Sequence, residues 1–179
     1  MVTVNRKMMI LESLASALGE ESVPKITTKI LAQRSDVTEA ALYKHFKGKN
    51  EIFLELFKFI EQSITDKLWE IRNQPVLNYQ KIKNIFNFMI IFVEKNPGFA
   101  RLLTRESLTA DEIDIIDKVE FLFANLEKEF ISLGVEPLKS RFLIIQIQGM
   151  YCEFIRHGFK NNMSQSLEYN YRLIENALR

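Results

Sequence analysis

Apolar residues recur at three- and four-residue spacing along nearly the whole chain, and no stretch has the two-residue alternation of a half-buried strand. Met9, Leu11, Leu14, Ala15 and Leu18 form one such face, which Gly19 stops, and Val23-Pro24 breaks the chain after it. Thr27 is a good N-cap for a short helix through Ile30, Leu31 and Ala32 to about Arg34. Ser35-Asp36 makes a turn, and Thr38 caps a second short helix that carries Ala41, Leu42 and Phe46 and stops at Lys47-Gly48. A long helix is predicted over 49–72, with Ile52, Phe53, Leu56, Phe59, Ile60, Ile64 and Leu68 on its buried side. Further helices are predicted over 78–95, 98–107, 111–133, 138–161 and 164–178, separated at Pro75, Asn96-Pro97-Gly98, Leu108-Thr109-Ala110 and Gly134 to Pro137. The fold class is therefore all-α, with about nine helices: a three-helix head over 1–48, then a helical bundle over 49–179.

Composition sharpens that picture in two places. The 47% hydrophobic content supplies a core. The greasiest window, Phe86 to Val93, is far too short to span a bilayer, and the single cysteine, Cys152, cannot make an internal disulfide. A cytoplasmic protein with no membrane partner is expected. Overall charge is only +1, yet Lys25, Lys29, Arg34, Lys44, Lys47 and Lys49 against Asp36 and Glu39 give residues 25–49 a charge of +4. The rest of the chain carries −3. Positive charge concentrated in this way is what phosphate binding requires.

The concentration coincides with a structural motif. Two short helices around a four-residue turn have helix-turn-helix spacing, whose second helix enters the major groove of duplex DNA with its N-terminal residues towards base edges. Leu42 and Phe46 point inward on that helix, while Glu39, Ala40, Tyr43 and Lys44 lie outward, and the small Ala40 and Ala41 permit close approach. Tyr43 and His45 can donate to phosphates, and the first amides of the long helix near Lys49 form an anion site. In isolation, lysines at a helix end are ordinary solvated surface and a lone tyrosine is ordinary packing. Their coincidence with the two helices favours DNA contact.

The stretch ITTKILAQRSDVTEAALYKHFKGKNEIF resembles the DNA-binding region of the TetR family, with Leu42, Tyr43, His45, Phe46 and Lys49 on the family pattern. Asp36 stands at the family's usual turn glycine, and Gly48 takes the cap position before Lys49. The resemblance implies phosphate contacts from Tyr43, His45 and Lys49, with Thr27 and Thr28 beside them, and base-facing Thr38, Ala40 and Lys44. LFKFIEQSI, EKNPGFARLLT and QGMYCEFIRHGFK extend it to the nucleoid occlusion branch of the family, which binds palindromic chromosomal sites and blocks assembly of the tubulin-like division protein FtsZ. That branch implies an FtsZ-facing groove at Phe59, Lys67, Lys95 and Asn96, with the two lysines standing where arginines are usual. By periodicity alone, Phe59 is a core residue and Asn96 an ordinary helix stop. The basic N-terminal arm is reduced to Arg6 and Lys7.

A helix-turn-helix reads one half-site, so a homodimer is expected. The two C-terminal helices are its predicted interface, through Phe142, Ile145, Gly149, Phe154 and Ile155 on one and Leu167, Leu173, Ile174 and Leu178 on the other. Phe86, Phe88, Phe92, Phe99, Phe121, Phe123 and Trp69 are expected inside the bundle, filling it in preference to lining a ligand cavity, so no cofactor is expected. A conventional ligand-responsive repressor is the alternative, and a helical adaptor that binds no nucleic acid is a third reading. Catalysis and metal binding find no residue set. His157 lies five residues from Cys152, off the ideal helical spacing, and Asp111, Glu112 and Asp114 read as a solvated helix start.

Overall fold

The computed structural model describes residues 5–20, 26–108, 113–167 and 171–172. Among these there are eight α-helices and no strand: α1 Arg6–Leu18, α2 Thr28–Arg34, α3 Glu39–Tyr43, α4 Lys49–Arg72, α5 Asn78–Glu94, α6 Pro97–Leu103, α7 Ile113–Ser132 and α8 Pro137–Arg156. A 3-10 turn, Met163–Ser166, follows α8 and packs on α5. The predicted helix over 164–178 otherwise falls largely outside the described residues, as do Val23-Pro24 and Thr109-Ala110.

Local chemistry sets most boundaries. The Asn5 side chain accepts from the Met8 amide to start α1, Thr27 accepts from Ile30 to start α2, and Thr38 accepts from Ala41 to start α3. Asp36 supplies the left-handed residue of the turn, φ 51°. Three helices end earlier than their patterns suggest, α3 among them at Tyr43, where the His45 amide turns back to the Leu42 carbonyl. α6 stops at Leu103, where the Thr104 hydroxyl turns back to the Ala100 carbonyl and Arg105 adopts φ 69°. α8 stops at Arg156, because Gly158 and Phe159 both take positive φ.

The head is packed onto the body through α1, which lies against α6 and α4 as well as α2. The α1–α6 crossing is close: a Cβ on Gly98 would sit 2.0 Å from the Ala15 carbonyl oxygen. One turn on, the guanidinium of buried Arg101 donates at 2.5 Å to the carbonyls of Leu18 and Glu20, filling acceptors that the end of α1 leaves open, and it stacks on the Phe159 ring at 4.7 Å. Removal from water pushes the Arg101 pKa down, opposed in part by the charge of Glu106. Deeper in the body, Tyr151 of α8 donates to the Met89 carbonyl of α5 at 2.8 Å, a buried bond that contributes about 1 kcal/mol.

Several side chains fall elsewhere than periodicity predicts. On α1, Ile10 and Ala17 are fully buried, whereas Met9 and Ala15 are partly exposed. On α4, Phe57 is fully buried and Phe59 is 45% exposed, since α1, α5 and α7 cover only part of the helix. Phe86, Phe99 and Phe123 are core residues as expected, but Trp69 and Phe121 stand out from the surface. Phe154, Ile155 and Leu167 are buried within the protomer and are unavailable to a partner, while Leu173, Ile174 and Leu178 lie outside the described residues. Exposed instead along α8 are Leu138, Phe142, Ile145, Gly149 and Cys152, at the alternating four- and three-residue spacing of a helix–helix seam.

Candidate nucleic-acid interface

Leu31, Ala32, Leu42 and Phe46 anchor α2 and α3 to the core, so their opposite faces point to solvent. Ser35 holds the turn between them: its hydroxyl donates to the Leu31 carbonyl at 2.6 Å and lies 3.0 Å from the Ser13 hydroxyl of α1. Arg34 pairs with Glu20 at 2.5 Å, and the guanidinium holds the Glu20 carboxyl below its ordinary pKa. These contacts tie the end of α2 and its turn to α1 without using the outer surface of the two short helices.

That outer surface collects most of the expected DNA residues. Ala40, Tyr43, Lys44 and His45 are exposed at and after α3, with Thr38 at its start. Ala40 and Lys44 share one face by their four-residue separation. Thr28 reaches across from α2, with its hydroxyl 3.2 Å from the Tyr43 hydroxyl and 2.9 Å from a Glu39 carboxylate oxygen. Thr27 and Thr38 are occupied as helix caps, their hydroxyls accepting at 3.2 and 3.1 Å. Lys49 opens α4, its ammonium 5.5 Å from the Phe53 ring centre. The cap before it, Gly48, offers no side-chain acceptor to the first amides, and Glu51 instead reaches back to the Lys47 amide. Hydroxyl donors, an imidazole and ammonium groups thus stand along α2, α3 and the start of α4, a set suited to phosphate oxygens.

Sequence reasoning missed the role of Glu39 and the pin made by Arg101. An acidic residue in a basic stretch was a visible oddity, but its bond to Thr28 needed α2 and α3 to meet. Arg101 sits amid apolar neighbours, and its acceptors are more than eighty residues away in sequence.

The four partner-surface residues are only partly gathered. Phe59 meets Phe99 edge-on with ring centres 6.4 Å apart, and Phe99 lies 5.4 Å from Phe92. Asn96 donates to the Phe92 carbonyl at 2.7 Å, so Phe59 and Asn96 border one aromatic cluster. Lys95 caps the end of α5 and is exposed. Lys67 is eight residues beyond Phe59, roughly 12 Å of helical rise, and is paired with Glu70 at 2.8 Å. Among the described residues no cluster of His, Cys, Asp or Glu could hold a metal ion, and no helix is long and apolar enough to cross a membrane.

Comparison with known proteins covers both parts of the chain. Residues 10–56 match the family model described as bacterial regulatory proteins, tetR family, and residues 77–179 match the tetracyclin repressor-like, C-terminal domain of SlmA-like type. The nucleoid occlusion factor SlmA of Aliivibrio fischeri (strain MJ11) is 29% identical over 184 residues, covering 95% of this chain and 94% of its own. That of Shewanella sp. (strain MR-4) is 28% identical over 188 residues, covering 98% and 95%. Among solved structures, the fatty acid degradation regulator FadR from Bacillus halodurans superposes with a TM-score of 0.83 at 13% identity, covering 100% of this chain and 99% of its own. That likeness speaks for the fold alone.

Proposed function

We propose a function for a chain that belongs to the TetR family of DNA-binding regulators: it acts as a nucleoid occlusion factor, a homodimer that binds palindromic chromosomal sites and inhibits FtsZ ring assembly over the nucleoid. The observation that carries this reading is similarity to nucleoid occlusion factors over 95% of the chain, head and body together. A shared head alone would support DNA binding and nothing more.

In this reading residues 1–48 bind DNA and residues 49–179 dimerise and regulate. Thr27, Thr28, Tyr43, His45 and Lys49 hold phosphates, while Thr38, Ala40 and Lys44 face base edges. The exposed α8 seam of Leu138, Phe142, Ile145 and Gly149 joins two protomers, setting two α3 helices about one duplex turn, ~34 Å, apart. Phe59, Lys67, Lys95 and Asn96 receive FtsZ. The protein then works in the cytoplasm, on the nucleoid.

Two measurements test this together. Mapping of bound sites in the host should find many, spread over the chromosome and sparse near the terminus. Sedimentation of purified FtsZ polymer should fall when the protein is added with its selected DNA site, and Phe59→Ala should restore it. A single site beside the protein's own gene, with polymer unaffected, would establish a conventional local repressor instead.

A further inference from the structure

The hydrogen-bond order around Thr28 is fixed by chemistry. A carboxylate only accepts, so Thr28 must donate its one hydroxyl hydrogen to Glu39, and Tyr43 must in turn donate to Thr28. Of the two hydroxyls assigned above to phosphates, that of Thr28 therefore points in the free protein to Glu39, and that of Tyr43 to Thr28. The carboxylate accepts the Thr28 hydrogen that a phosphate oxygen would otherwise accept. Among the described residues, no basic side chain pairs with it.

Glu39 is also the first residue of α3 and is exposed. The first residues of a recognition helix are those that meet base edges. When phosphates take over Thr28 and Tyr43, this carboxylate loses its donor beside a polyanion. The major groove offers it a natural replacement in the amino group of cytosine, which a glutamate accepts from; guanine O6 and N7 and thymine O4 present only acceptors there, and adenine sets its N7 acceptor, which repels a carboxylate, beside its N6 amino group.

We propose that Glu39 is a specificity-determining residue, released from Thr28 on DNA binding and passed to the N4 amino group of a cytosine in each half-site. The proposal rests on the DNA-binding reading above. It gives the acidic residue in a basic surface a purpose: sequences without a suitably placed amino group leave a carboxylate unpartnered near phosphates, so non-specific duplex is disfavoured.

The test is selection from a random duplex pool by the intact protein, by Glu39→Gln and by Glu39→Ala. Glutamine still accepts from Thr28 but matches adenine N6 and N7. The native protein should select a C·G pair at one position of each half-site, and Glu39→Gln should select adenine there with the rest of the motif unchanged. Glu39→Ala should lose preference at that pair by roughly tenfold and bind unselected duplex more tightly. If all three proteins recover one motif, or if Glu39→Ala weakens every duplex equally, Glu39 only braces Thr28 and the proposal is overturned. If the native protein enriches no sequence and binds no duplex, the DNA-binding reading falls with it.

Discussion

Gly98 and Gly149 are both helical glycines, and their surroundings are opposite. At Gly98 a single added carbon would penetrate the Ala15 carbonyl, so the absence of a side chain lets α6 of the body press against α1 of the head. At Gly149 an added carbon meets nothing within 4 Å in the protomer. A glycine in mid-helix costs about 1 kcal/mol against alanine, and at Gly149 nothing inside the protomer offsets that cost. The two sites separate what holds one protomer together from what faces outward. The first seam is closed by Arg101 and joins DNA head to bundle; the second, on α8, lies open and apolar beside Ile145 and Phe142.

The largest expected effect is on the open seam. Ile145→Asp places an unpartnered carboxylate in the proposed dimer interface, at a cost on the order of 3–5 kcal/mol. Sedimentation should show monomers, and the far-UV spectrum should remain helical because Ile145 is 54% exposed in the protomer. Gly98→Val attacks the closed seam and should lower protomer stability by about 3 kcal/mol in urea unfolding. Gly149→Ala sharpens the contrast through its sign. Unfolding of the protomer should become harder by about 1 kcal/mol, while the dimer dissociation constant should rise roughly tenfold if α8 helices meet closely across the two-fold. Unchanged dimerisation would place the contact elsewhere.

The smallest effect concerns pH. Lys58, and then Lys7 reaching over from α1, hold the Glu55 carboxyl of α4 below its ordinary pKa. A carboxyl lowered in the folded state contributes stability that is present above the unfolded value, about 4.3, and lost as pH falls through the folded one. Glu55→Gln should lower neutral stability slightly and flatten the loss on acidification below about pH 4.3, so that the two proteins converge once the native carboxyl is protonated.

The closed seam and the head were unevenly legible from sequence. Thr27, Thr38, Asp36 and Gly48 act on backbone within a few residues of themselves, so the caps and turn of the helix-turn-helix could be read locally, as could the bounds of α4. Phe57 and Phe59 could not be ranked, because which flank of α4 is covered depends on where α1, α5 and α7 pack. Phe154 and Ile155 misled for a related reason: a core position and an interface position are equally apolar in sequence. The stops at Arg105 and Phe159 rest on positive φ in residues that seldom adopt it. The Tyr43–Thr28–Glu39 chain and the reach of Arg101 to α1 needed tertiary approach.

Both seams matter functionally only if the head they position grips duplex phosphates. Anisotropy titration of the intact protein with unselected duplex, from low to moderate salt, measures this directly. The logarithm of affinity should fall linearly with the logarithm of salt, at about 0.9 per phosphate contact, and the Tyr43→Phe, Lys49→Ala double variant should be weaker on every duplex with a slope shallower by about one. Absence of binding at low salt, or a double variant indistinguishable from the native protein, would contradict the account.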